Sequence, residues 1–269
     1  EATLSRRSAC KIDSHEHVIV RYPAQMIRIT EQENIVTLTM NRAGKRNALS
    51  REMLEAIHGG LDEVEQNNEM RVFILAGEGR SFCAGMDLKG VIDDPAAMGN
   101  MLHDLAKVSQ RIRALPVPTI ACVQGAAIGG GCGLMVVCDF AFTHAESRVG
   151  YPEVDLGICP AVVAPWLMKK IGAGRARAML LAGGTISGKQ GFEAGLTTHL
   201  CDLDLLIEET EAFAKNLARG GKTALAKTKA WLNEIDGSLD NALLARGADL
   251  SAELFASEEA QNRLKKLYG

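Results

Sequence analysis

The sequence predicts an α/β fold, and three observations carry that prediction. From Met26 onward, short runs of β-type residues alternate with longer stretches whose apolar residues recur at helical spacing. After about Leu200 the β signal stops, and the rest of the chain reads as helices. With 269 residues, 47% of them hydrophobic, the chain can bury one large core, or a main domain with a smaller appendage.

The first elements are the runs MIRIT and NIVTLTMN, rich in Ile, Val and Thr. Ser50 then opens a helix, because its hydroxyl suits an N-cap and Met53, Ile57, Leu61 and Val64 follow on one face. RVFILAG at 71–77 is the next strand. A second cycle follows: a helix near 98–114 that stops at Leu115-Pro116-Val117-Pro118, a strand TIACVQG at 119–125, a helix opened by Gly129-Gly130-Gly131 and a strand CDFAFTHA at 138–145. Helices are then expected at 207–219, 222–235, 238–255 and 258–267, separated by Gly220-Gly221, Asp236-Gly237 and Ser257. Residues 1–25 read as a partly loose leader without an apolar signal core, 26–200 as the main core and 201–269 as a helical region.

Composition narrows the function. A formal charge of −3 with scattered basic residues leaves no electrostatic footprint for nucleic acid. No apolar run approaches the ~18 residues needed to span a bilayer, so no membrane partner is expected. The seven cysteines show neither a CxxC pair nor His-rich spacing, which argues for reduced, mostly buried thiols and against a metal site. These features point to a cytoplasmic protein, or one of the mitochondrial matrix if the source is eukaryotic.

Two glycine-centred segments carry the chemistry, SFCAGMDLKG at 81–90 and GAAIGGGCGLMVVCD at 125–139. Each places small residues at a strand end or helix start, where bare backbone N–H groups can approach a ligand oxygen and share its negative charge. A paired donor site of that kind suits thioester chemistry. No GxxxxGK[ST] or GxGxxG follows a strand, which sets aside a P-loop or Rossmann nucleotide enzyme.

Together with NRAGKRNALS (41–50) and YPEVDLGI (151–158), these segments closely resemble the crotonase family, also called the enoyl-CoA hydratase/isomerase family. The resemblance covers most of residues 26–200. It implies a spiral of ββα turns followed by a C-terminal helical trimerisation region, in a homotrimer or dimer of trimers. It further implies an acyl-CoA thioester as substrate, with no metal or redox cofactor.

By the same resemblance, the backbone N–H groups of Met86 and Gly130 form the oxyanion hole and Glu153 is the general acid/base. Hydratases of the family carry a second glutamate at the position of Gly133, and dienoyl-CoA isomerases carry further acids at the positions of Gly133 and Ala161; neither acid is present here. A single base can remove a proton from one carbon and return it to another, so the lone glutamate favours double-bond isomerisation. Strand-like alternation in Val154-Asp155-Leu156 would put Asp155 on the side of Glu153 as a supporting acid, beside the position of Gly133.

For coenzyme A, the matching contacts are Lys45, Arg46, Ala48, Ala84, Asp87, Leu88 and Lys89. The basic side chains would meet phosphates or the pantetheine path, and the backbone around Asp87 and Leu88 would read the adenine edge. Arg263, Lys265 and Lys266 in the last helix could reach the 3′-phosphate, across a subunit boundary if the chain assembles. The segment 158–172, with bulky Val162, Val163 and Trp166, is similar to hydratases of branched or acidic enoyl-CoA such as methylglutaconyl-CoA, which keeps hydration as an alternative. A non-catalytic acyl-CoA-binding subunit is the alternative of another class.

Overall fold

The computed structural model describes residues 17–19 and 26–268; the rest of the expected leader lies outside the described residues. Eleven strands occur among them: β1 (His17–Ile19), β2 (Ile27–Gln32), β3 (Ile35–Met40), β4 (Val72–Gly77), β5 (Ser81–Cys83), β6 (Thr119–Val123), β7 (Ala126–Ile128), β8 (Phe140–His144), β9 (Arg148–Gly150), β10 (Thr185–Ser187) and β11 (His199–Cys201). The helices are α1 (Arg51–Gln66), α2 (Pro95–Ala114), α3 (Gly130–Val137), α4 (Ala164–Ile171), α5 (Ala173–Ala182), α6 (Gly188–Ala194), α7 (Leu206–Ala218), α8 (Lys222–Ile235), α9 (Asn241–Phe255) and α10 (Glu258–Tyr268).

The strands form two sheets. The larger has the order β1-β2-β3-β4-β6-β8-β11, antiparallel through β3 and parallel from there on. Strands β2 and β3 are joined by Glu33 and Asn34, both at positive φ, a two-residue turn whose twist matches that of the strands. The smaller sheet, β10-β9-β7-β5, was not foreseen from the sequence. Its strands have three residues each, too few for alternation to register.

Both faces of the large sheet are buried along its central parallel strands β4, β6 and β8. Along β4, Phe73 and Leu75 enter the main core with Leu38, Met53, Leu134 and Trp166. Val72 and Ile74 point the other way and pack with Ile120, Phe142 and Leu206, under α7. The expected stripe on α1 is buried in full, and Ser50 caps it by accepting from Met53 N at 3.3 Å.

The C-terminal helices do more than follow the core. Helix α9 packs along α2 of the same chain, and α10 packs on α9 and on the 3-10 helix Pro152–Leu156. Ser251 on α9 donates to Cys159 O at 2.8 Å and accepts from Ala161 N at 3.2 Å. These contacts press the 158–163 loop against the core and form one wall of a cavity.

Candidate active site

That cavity has a volume of about 250 Å³ and lies where the two glycine segments meet Pro152–Leu156. Met86 enters it through a bridge to Leu49. Leu49 N donates to Gly85 O at 2.8 Å and Asp87 N donates to Leu49 O at 2.9 Å. A parallel bridge uses the groups on either side of its central residue, so the N–H of Met86 is not among those bonded to Leu49, and Met86 lines the cavity. Gly130 is the first residue of α3, where an N–H has no acceptor within the helix and the helix dipole adds positive potential.

The two turns abut because both contain a glycine in a left-handed conformation, Gly85 at φ +91° and Gly129 at φ +54°. A β-carbon on Gly85 would lie 2.7 Å from Ile128 O and 3.9 Å from Gly130 N. Met86 and Gly130 therefore line one space.

Glu153 completes the site. Pro152 starts its 3-10 helix, Glu153 O accepts from Ile158 N at 2.9 Å, and Gly157 closes the helix in a left-handed conformation. Oε1 stands 2.9 Å from where a β-carbon on Gly129 would be. Oε2 is shut off from solvent and has no hydrogen-bond partner among the described residues. Burial pushes the carboxyl up to about 7; a hydrogen bond from its own main chain pulls it back, and the charge of Asp155 adds to the rise. Among the described residues lining the cavity, Glu153 carries the only carboxylate. Met98, Leu102, Leu156, Ile158, Val162 and Val163 make most of the remaining surface apolar.

Two expectations are corrected. Asp155 does not share the side of Glu153, because 152–156 is a 3-10 helix and not a strand; Asp155 is exposed and accepts from Gly184 N at 2.9 Å. Gly133 is buried in α3 and does not line the cavity, since Val163 lies between.

The expected coenzyme A contacts divide. Arg46, Ala84 and Leu88 line the cavity. Lys45 is exposed at the end of a 3-10 turn, and Lys89 stands 5.6 Å from the ring centre of Tyr268, itself a lining residue. Asp87 forms an ion pair with Arg42 at 2.7 Å, and Ala48 O accepts from the same guanidinium at 3.4 Å. Arg263 holds Asp155 O at 3.3 Å and pairs with Glu259, while Lys265 and Lys266 are exposed.

Sequence reasoning missed the residues that hold this rim. Asn47, fully buried, donates to Ser81 O at 2.8 Å and Glu78 O at 3.0 Å and accepts from Arg42 N at 2.9 Å. Arg46 and Asn47 both adopt positive φ, costly for residues other than glycine and sustained here by those bonds. The quoted motif contained Asn47, but nothing in its spacing marked the side chain as a tie between two loops.

The comparisons with known proteins agree with the fold. A family model described as enoyl-CoA hydratase/isomerase matches residues 30–267. The chain belongs to that family. It is 31% identical to the 2,3-dehydroadipyl-CoA hydratase of Escherichia coli strain K12, over 86% of this chain and 91% of that protein. It is 30% identical to the crotonyl-CoA hydratase of Syntrophomonas wolfei, over 87% and 91%.

Among solved structures, an enoyl-CoA hydratase/isomerase from Mycobacterium paratuberculosis shares the fold, with a TM-score of 0.83 at 23% identity, covering 92% of this chain and 100% of that one. An enoyl-CoA hydratase from Bacillus anthracis is 27% identical, with a TM-score of 0.74 over 90% and 95%. This member of the enoyl-CoA hydratase/isomerase family is thus an acyl-CoA enzyme with the crotonase fold. Among the described residues, no helix is long and apolar enough to cross a membrane.

Proposed function

We propose that this enzyme shifts the double bond of an enoyl-CoA thioester, with Glu153 carrying the proton and the N–H groups of Met86 and Gly130 holding the enolate oxygen. The carboxylate takes a proton from C2 of a 3-enoyl thioester, and the electron pair moves onto the thioester oxygen. The two amides face the charge that forms there; one such donor contributes roughly 3–4 kcal/mol in transition states of this type. Returning the same proton to C4 leaves the double bond between C2 and C3. No atom is gained or lost, and one carboxylate serves as base and then acid.

The observation that carries this reading is the lone carboxylate in an apolar cavity, its proton affinity raised to about 7 and Oε2 without a partner. Glu153→Gln is expected to abolish turnover of 3-enoyl-CoA while a CoA ester still binds; retained turnover removes Glu153 from the role. A CoA thioester is the substrate in this reading, with Arg46, Ala84 and Leu88 along its path and Lys45, Ala48, Asp87 and Lys89 at the rim. Turnover is expected without added metal or redox cofactor.

Hydration of a branched or acidic enoyl-CoA is the second reading; the names of the E. coli and S. wolfei relatives favour hydration, and that of the E. coli relative an acidic acyl group. Product analysis with 2-enoyl- and 3-enoyl-CoA separates the two readings, and a non-catalytic binder would retain the ester and form no product. Assembly into a homotrimer or dimer of trimers belongs to the same proposal. Leu181, Trp231 and Ile235 are each more than half exposed, and light scattering on the purified protein tests whether a partner covers them. A cytoplasmic location completes the proposal, with cell fractionation as its test.

A further inference from the structure

Gly133 N donates to Gly129 O at 2.9 Å, so these glycines lie one turn apart on the same side of the start of α3. Two side chains cover that side. Glu153 lies over Gly129, and Val163 lies over Gly133 with Cγ1 2.5 Å from where a β-carbon on residue 133 would be. One helical turn rises about 5.4 Å, and the isopropyl group and the carboxylate line the same cavity. Val163 is 3% exposed, and what remains of its surface lines the cavity.

A bound water needs room and about two to four polar partners. Val163 takes up space on that side of the cavity, and Leu102, Ile158 and Val162, which line the same cavity, have side chains that offer no hydrogen bonds. The chemistry of hydration is otherwise within reach of this site. A water oxygen would bond to C3 of a 2-enoyl thioester, its proton would pass to Glu153, and Glu153 would deliver a proton to C2.

From this arrangement we infer that Val163 is a specificity-determining residue: its isopropyl group fills the place beside Glu153 that an attacking water would need, so the site moves a proton between substrate carbons and adds no oxygen. The inference rests on the isomerase reading given above. It also accounts for why the position of Gly133 cannot furnish a second acid by itself, because any side chain there meets Val163 first.

The test uses the full chain with 2-enoyl-CoA and 3-enoyl-CoA of equal length, reading hydration and isomerisation products by mass in the same mixtures. Val163→Thr keeps the branched shape and adds a hydroxyl that can hold water, while Val163→Ala opens space alone. The ratio of hydration to isomerisation is expected to rise roughly tenfold in Val163→Thr, the effect of one added hydrogen bond to the attacking water. A smaller rise is expected in Val163→Ala.

A natural enzyme that hydrates as fast as it isomerises overturns the inference. So does an unchanged ratio in both variants when their circular dichroism is native. Glu153→Gln keeps the two failures apart: turnover surviving that change sinks the isomerase reading, whereas a dead Glu153→Gln with an unchanged ratio sinks only the role of Val163.

Discussion

The carboxylate of Glu153 rests against the backbone of Gly129, with Oε1 2.9 Å from the point where a β-carbon on that residue would stand. The acid and the turn that presents the Gly130 amide are thus a single packed unit. Gly129→Ala would drive a methyl group into the carboxylate and strain a backbone at φ +54°. Turnover is expected to fall about 100-fold, the scale of a displacement near 1 Å at a reacting group. Steady-state kinetics beside a CoA-ester binding isotherm check this, and loss of binding in place of turnover would count against it.

The raised proton affinity of Glu153 fixes the pH dependence. As a base it must be ionised, so kcat/KM is expected to climb with pH and level off above about 7. Stability moves the opposite way. Between the ordinary 4.5 and about 7 the folded state holds a proton that the unfolded chain has lost, so stability declines as pH rises through that window. Glu153→Gln removes the penalty, worth at most about 3 kcal/mol. Its melting temperature is expected to exceed that of the natural protein by about 5 °C at pH 8 and to match it at pH 4.5. Thermal melts at the two pH values decide.

Asn47 ties Arg42 to the 78–81 turn with three hydrogen bonds made by a buried side chain. Asn47→Ala removes the side-chain partner of Glu78 O and Arg42 N, while Ser81 O keeps Gln124, and is expected to cost about 2–4 kcal/mol. KM for a CoA ester should rise as well, since Arg46 loses its support. Urea denaturation and KM measurements on the variant check both effects.

Asp139 is the hub of a charged cluster away from the cavity. It pairs with Lys229 at 2.8 Å and with Arg113 at 3.4 Å, and it accepts from Thr119 N at 2.9 Å. Burial lowers the proton affinity of Lys229, and Asp139 opposes that shift. Asp139→Ala strands a buried ammonium and is expected to destabilise the chain by about 3–5 kcal/mol. Lys229→Met should cost far less, because Asp139 keeps Arg113 and Thr119. Comparable losses in the two variants, measured in urea, would refute this.

Much of the large sheet and its helices was legible in the sequence, because strands of five or six residues and helices such as α1 imprint their period on the apolar pattern. The smaller sheet was not, since β5, β7, β9 and β10 are too short to do so. The segment around Glu153 misled for a related reason: alternation over three residues fits a strand or a 3-10 helix equally well, and only Pro152 and Gly157 at its ends mark the latter. Motifs singled out Met86, Gly130 and Glu153, which line one cavity. They could not reveal that Val163, thirty residues from Gly133, occupies the space above it, because that contact is made by α3 and the 158–163 loop meeting in three dimensions.

The cavity wall draws Arg46 from one end of the chain and Ser251 and Tyr268 from the other. Such a site exists only once these distant segments have closed together, so a ligand gains nothing from partly assembled forms. Every tenfold excess of an acyl-CoA over its dissociation constant should therefore protect the whole molecule by about 1.4 kcal/mol. A simple melting-point screen of thioesters would then rank acyl groups by affinity before any product is assayed.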